Sequence, residues 1–189
     1  MTQLVFFLEE PSAKAMLQGF LPAFVPETVE LKFVVFEGKQ DLEKRLPIRL
    51  RAWLRDDAKF VVLRDKDSGD CFKIKQNLVE TCVAAGKPNV LVRIACCELE
   101  SFYLGDLKAV AQAIGPSSLS KRQGKSKFRD PDKLANPSQE LKKIAPEYQK
   151  ISGSRAIGPL LDINQNSSRS FNALITGIQR LITGLGDNL

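Results

Sequence analysis

Asp65 and Asp67 stand one residue apart in the run VVLRDKDSGDC, directly after an apolar stretch. In extended chain a D-x-D pair aims both carboxylates to one side, as a shared metal or a pair of metals requires. Acids recur after three other apolar runs. Glu9 and Glu10 follow QLVFFL, Glu37 follows ELKFVVF within FEGK, Asp70 lies just beyond the D-x-D pair, and Glu98 and Glu100 follow NVLVRIA. Carboxylates brought close together repel unless something cationic sits among them, and a divalent ion is the simplest solution. The chain has no histidine. That excludes Ser-His-Asp and Cys-His nucleophilic mechanisms and any His-ligated metal. Oxygen ligands alone suit Mg²⁺ or Mn²⁺.

The competing structural reading is that acids after strands cap the next helix or face water. A phosphatase with an aspartyl nucleophile also places D-x-D after a strand, but it leaves the other strand-end acids without a task.

These residues need strands to carry them. Four β-like runs are predicted: Gln3–Leu8, Glu30–Phe36, Lys59–Leu63 and Asn89–Ala95. The first and third are nearly continuously apolar, as in strands covered on both faces. Helical patterns separate them. The first starts near Pro11–Ser12, with serine as a cap, and ends near Phe20. The second covers about Asp41–Leu54, with Pro47 predicting a kink or two short helices. The third spans about Cys71–Ala85, capped by Asp70 and stopped by Gly86, with Ile74, Leu78, Val79, Cys82 and Val83 on one side. A fourth begins near Glu98. Such alternation implies a mostly parallel sheet covered by helices, whose ligands bind outside the carboxyl ends of the strands. There the acids of all four strands would share one rim.

After Gly115 the composition turns polar and basic, predicting a loop or hinge over PSSLSKRQGKSKFRDPD. Short helices follow, ending in an apolar stripe over Phe171–Leu185. The organisation expected is an α/β core over 1–115 and, over 116–189, a basic loop plus a helical subdomain packed on the core.

The 189 residues carry a formal net charge of +6. From Lys121 to Lys150, nine Lys/Arg face four Asp/Glu, a surplus of five in one segment. Lys121, Arg122, Lys125, Lys127 and Arg129 are the expected nucleic-acid contacts, since a basic zone beside an acidic metal site suits a phosphodiester. The alternative is a solvated charged loop. No stretch reaches a membrane span, and Leu4–Leu8 reads as a strand rather than a secretory leader. The four cysteines form no C-x-x-C pair, and a reduced cytoplasmic setting is expected.

The runs FLEEPSAKAMLQGFLP, FEGKQDL, VVLRDKDSGDC, RIACCELESFYLGD, FRDPD and YQKISGSRAIGPLLDINQNSSRSF, in that order, resemble a bacterial family catalogued as domain of unknown function 4276 and grouped with the Toprim-like folds. The resemblance covers nearly the whole chain. It implies a Toprim-like, mostly parallel four-stranded sheet flanked by helices, with a helical C-terminal extension. It also implies Mg²⁺ or Mn²⁺ bound by Glu9, by Asp65 and Asp67, and by Glu98 or Glu100, with Glu100 favoured because Glu98 would fall in a helix's first turn. A lysine near the scissile phosphate is implied as well, Lys150 first and Lys39 second, with Arg155 as a phosphate contact or a fold support. Glu10, Glu37 and Asp70 are secondary candidates. Arg64, just before Asp65, either dampens metal binding or pairs with a nearby acid.

The function expected from the resemblance is a metal-dependent nuclease or nuclease subunit acting on nucleic acid, chiefly DNA. It would work in anti-phage defence with an ABC- or AAA-type ATPase, and the chain could self-associate. The alternative is a non-catalytic regulatory subunit of such an ATPase complex.

Overall fold

A computed structural model describes residues 2–183. Four strands form one sheet: β1 (Gln3–Leu8), β2 (Glu30–Val35), β3 (Ala58–Asp65) and β4 (Leu91–Ala95). All pairs are parallel, in the order β2-β1-β3-β4. Both central strands are buried on both faces, which is why their sequences lack polar alternation. Leu4, Phe6, Leu8, Val61 and Leu63 join one hydrophobic cluster, while Val5, Phe7, Phe60 and Val62 join a second on the opposite face.

Helices α1 (Pro11–Phe20), α2 (Lys39–Arg51) and α3 (Cys71–Ala84) link successive strands. α1 opens on Pro11, whose missing N–H costs nothing in a first turn. Ser12 lies inside the helix and gives its hydroxyl hydrogen to Glu10 at 3.2 Å, so it is not the cap. α2 runs through Pro47 as one helix, because Leu42, Leu46 and Leu50 on both sides of the proline are buried on the same face. In α3 the buried stripe is narrower than its apolar residues allow. Leu78 and Cys82 are buried, whereas Val79 and Val83 reach solvent. α2 and α3 cover one face of the sheet, and Leu42, Leu46, Leu50, Leu78 and Cys82 share its cluster.

The other face is covered by α1 and by the described elements that follow β4. These elements are α4 (Glu100–Leu104), α5 (Leu107–Ala113), α6 (Pro137–Ile144), α7 (Lys150–Ile157) and α8 (Arg169–Thr183). Tyr148, Ile157, Phe171, Leu174 and Ile178 enter the same cluster as Leu4, Phe6 and Leu8. Residues 116–183 therefore share their core with the strands. The end of the predicted last helix at Leu185 lies outside the described residues.

The predicted loop after Gly115 consists of short 3-10 turns. Leu119 and Phe128 anchor it in the core, and Gln123 pins it through bonds to the Leu107 amide and to the Leu104 and Phe128 carbonyls. Asp162 and Ser168 lie in the segment that leads into α8, and Arg169 and Ser170 open the helix. The Ser168 hydroxyl accepts from the Phe171 amide at 3.1 Å, capping α8, and donates to Asp132 at 2.7 Å. Asp132 also accepts from the Ser170 amide, and the Asp162 amide donates to Asp106 at 2.9 Å. These bonds tie the tail to the core.

Candidate functional site

The strand order reverses direction beside β1. β2 lies on one side of it and β3 on the other, so the connections leaving β1 and β3 part at their carboxyl ends. A crevice opens at such a switch point. Leu8 is in register with Leu63, which sets Glu9, just past β1, alongside the end of β3. The Glu9 carboxylate accepts from the Asp65 backbone amide at 3.1 Å. A crevice of about 10 Å³ lies here, bordered by Glu9, Glu10, Ser12 and Asp65, room for about one water or one ion.

Glu100, the first residue of α4, is buried beneath this rim. Burial raises the Asp65 pKa well above its ordinary value, and the charges of Glu9, Glu100 and Glu10 raise it further. Glu9 is raised too, first by burial and then by the Asp67 charge, against the pull of the Asp65 amide and Arg64. Burial likewise raises Glu100, while a hydrogen bond from Tyr148 holds the rise back.

Three cations answer these acids. Lys150, in the first turn of α7, places Nζ 2.9 and 3.2 Å from the two oxygens of Glu10. Its own burial works against its charge, but Glu10, Glu100 and Asp65 outweigh that and its pKa is raised. Lys39, in the first turn of α2, lies 2.9 Å from Asp67. Arg64 pairs with Glu43 at 2.5 Å and reaches to 3.9 Å from Glu9.

The structure separates several residues that the sequence groups together. The chain is not extended at Asp67, where φ is +52°. The two carboxylates of the D-x-D run are consequently not presented alike: Asp67 turns to Lys39, while Asp65 stays with Glu9, Glu10 and Glu100. Glu98 accepts from the Ser138 amide at 2.7 Å and so caps the start of α6. The fourth helix starts at Glu100 rather than Glu98, which puts Glu100 in the first turn and Glu98 outside it. Asp70 caps α3 by accepting from the Phe72 and Lys73 amides. Glu37 and Arg155 are exposed at the surface.

Two tyrosines complete the site and were not singled out by sequence. Tyr148 donates to Glu100 at 2.9 Å, and Tyr103 donates to Ser154 at 2.7 Å. Both rings are fully buried and meet edge-on at 6.1 Å between centroids. The available signals were weak: Tyr103 lies three residues after Glu100, about one helical turn, and Tyr148 lies two before Lys150.

A family model matches residues 8–179, from the last residue of β1 well into α8. The chain belongs to the family described as Domain of unknown function (DUF4276). The matched span contains every acid and cation of the rim. No curated protein and no solved structure matches this DUF4276 chain at a significant level.

The DUF4276 rim fits a hard divalent cation in kind. Its donors are carboxylates, three of them (Glu9, Glu10 and Asp65) border an ion-sized crevice, and their mutual repulsion is what a cation would relieve. It is not assembled for one, since among the described residues no three acidic or cysteine side chains stand close enough together to hold a metal. All four cysteines are free thiols. Burial pushes Cys82 up to about 11 and Cys96 up to about 12, so neither is a thiolate nucleophile at neutral pH. Lys121, Arg122, Lys125, Lys127 and Arg129 are exposed on the pinned turns. Lys127 pairs with Glu140, and Arg129 donates to the Gly124 carbonyl at 3.4 Å. Among the described residues no helix is long and apolar enough to cross a membrane.

Proposed function

We propose that this chain is a divalent-metal-dependent hydrolase of nucleic-acid phosphodiesters with a Toprim-like core, acting on DNA in the cytoplasm. The observation that supports this reading is the placing of Glu9, Glu10 and Asp65 at the switch-point crevice, with the charge of buried Glu100 felt at Asp65 and Lys150 arriving at Glu10 from 140 residues away. Glu9, Asp65 and Glu100 would hold Mg²⁺ or Mn²⁺, with Asp67 as an outer contributor. Such an ion supplies Lewis acidity and lowers the pKa of a bound water. Lys150 stabilises charge developing on the phosphate, and Tyr148 keeps Glu100 oriented. The exposed cations from Lys121 to Arg129 attract the backbone of the substrate. An ABC- or AAA-type ATPase partner in anti-phage defence belongs to the same reading and rests on the sequence resemblance.

The test is cleavage of plasmid DNA and of RNA with Mg²⁺ or Mn²⁺, comparing wild type with Asp65→Ala, alone and with the cognate ATPase. Metal-dependent cleavage lost in the variant supports the enzyme. No cleavage in any arm supports the second reading, a non-catalytic subunit of the ATPase complex. One specific observation favours that alternative: Lys150, Lys39 and Arg64 already engage Glu10, Asp67 and Glu9.

A further inference from the structure

α3 keeps a second set of apolar side chains in water. Phe72 is 82% exposed, Val83 52% and Val79 36%. With Gln76 they occupy positions 72, 76, 79 and 83, a spacing of four, three and four residues. That spacing lines them up along one side of a helix and is the seam by which one helix packs on another. The line is distinct from the stripe that holds α3 on the sheet, where Leu78 and Cys82 are buried. α3 is therefore apolar on two sides, and only one of them meets the fold. Apolar side chains exposed in a row, rather than scattered singly, mark an interaction surface.

The charges beside the seam say what covers it. Lys73 follows Phe72 and Glu80 follows Val79, seven residues and two turns apart, so both stand on the same flank of the seam. Both are exposed, and among the described residues neither enters an ion pair. The Gln76 side-chain amide donates to Glu80 at 2.9 Å and holds it along the seam. One flank thus carries a cation toward its start and an anion toward its end. A two-fold axis through the middle of the seam makes this pattern complementary to itself. A second α3 laid antiparallel on the first sets Phe72 of each copy against Val83 of the other, Gln76 against Val79, and Lys73 beside Glu80, every contact occurring twice.

The antiparallel arrangement also opposes the two helix dipoles. The acidic rim lies at the start of α3, just after Asp65 and Asp67, so the two rims are sent to opposite ends of the pair and both stay open. A parallel pair would set the rims side by side, where like charges repel. We propose that this face joins two copies of the chain through α3 packed antiparallel on α3. The proposal stands apart from the chemistry of the rim. From Phe72 to Val83 the seam is about 17 Å long at 1.5 Å per residue, a small contact of the kind found in weak, reversible complexes.

The experiment is sedimentation velocity of the full chain from about 5 to about 500 µM, the range in which contacts of this size associate. Wild type should pass from monomer to dimer across that range. Phe72→Asp, at a side chain outside both cores, should weaken association at least about tenfold. Lys73→Glu and Glu80→Lys should each weaken it by at least about fivefold, because like charges then meet twice. Mixed one to one, those two variants should regain wild-type association, since each copy offers the charge the other lacks. Circular dichroism verifies that each variant is folded, and Lys121→Glu serves as a surface control that dimerises normally. Three outcomes overturn the proposal: wild type that stays monomeric throughout, which would leave the face to a different protein; Phe72→Asp that dimerises as wild type does; or a mixture that associates no more tightly than either charge variant alone.

Discussion

Lys150 Nζ lies 2.9 Å from Glu10 Oε2, joining the first turn of α7 to the residue just before α1 across 140 positions of chain. The pair is part-exposed, with 49% of the lysine and 34% of the glutamate side chain accessible. Such a contact contributes about 0–1 kcal/mol to stability. Its importance is to charge: it places a cation beside the acids that raise one another's pKa.

Replacing Lys150 by methionine should therefore change ligand chemistry more than stability. Mn²⁺ binding, read by calorimetry, is expected to tighten because Glu10 is released. Cleavage, if the chain is a hydrolase, should slow by about 100-fold or more as the phosphate loses its counter-charge. Weaker Mn²⁺ binding in the variant would contradict this account.

Asp65→Asn is expected to raise the melting temperature at pH 8. The folded pKa of Asp65 lies well above 3.8, so the folded state prefers the protonated acid. That preference stabilises fully below pH about 3.8 and is lost as pH rises through the folded value. Asparagine escapes the loss. The advantage over wild type should be about 2–4 °C for each kcal/mol released and should fade toward pH 4. A variant less stable than wild type at pH 8 would show that the Asp65 charge is satisfied.

The same repulsion predicts that Mn²⁺ stabilises the wild type against heat and does so less in Asp65→Asn, since an ion bound only to the folded state adds RT ln(1 + [L]/Kd). The gain should shrink as pH falls and protons compete for Glu9, Asp65 and Glu100, all of which have raised pKa values.

Tyr148→Phe removes the hydroxyl that donates to buried Glu100. Leaving that acceptor unpaired costs about 1–3 kcal/mol, a loss measurable by urea titration. Gly153→Ala tests the same wall from behind. A Cβ there would stand 2.4 and 2.6 Å from Tyr148 ring carbons, and displacing the ring should cost about 1–3 kcal/mol.

Asp67 should tolerate asparagine and glycine, both at home in the left-handed region, and resist valine. At φ +52° a β-branched residue adds about 1–2 kcal/mol of strain, whereas loss of the exposed Lys39 pair alone costs about 0–1 kcal/mol. Equal melting temperatures for Asp67→Asn and Asp67→Val would refute the assignment.

Much of this molecule is legible from short stretches of chain. The unbroken apolar runs of β1 and β3 mark strands covered on both faces, and Pro11, Asp70 and Gly86 mark helix ends through their own backbone chemistry. The acid that follows each run is equally plain, and so is the carboxylate-only character of any metal ligand set in a chain without histidine. These features depend on neighbours a few residues away, which the sequence displays directly.

Which acids form the site is another matter. Glu98 and Glu100 differ by two positions, yet one caps α6 and the other is buried under the rim against Tyr148. Asp65 and Asp67 part because one residue takes a left-handed turn. The switch point exists only because β2 and β3 flank β1, and Lys150 and Tyr148 reach it only because α7 packs on α1. Linear spacing cannot report charge repulsion, burial or a hydrogen bond across 48 or 140 residues. Those depend on distances through space, and the tertiary packing alone sets them.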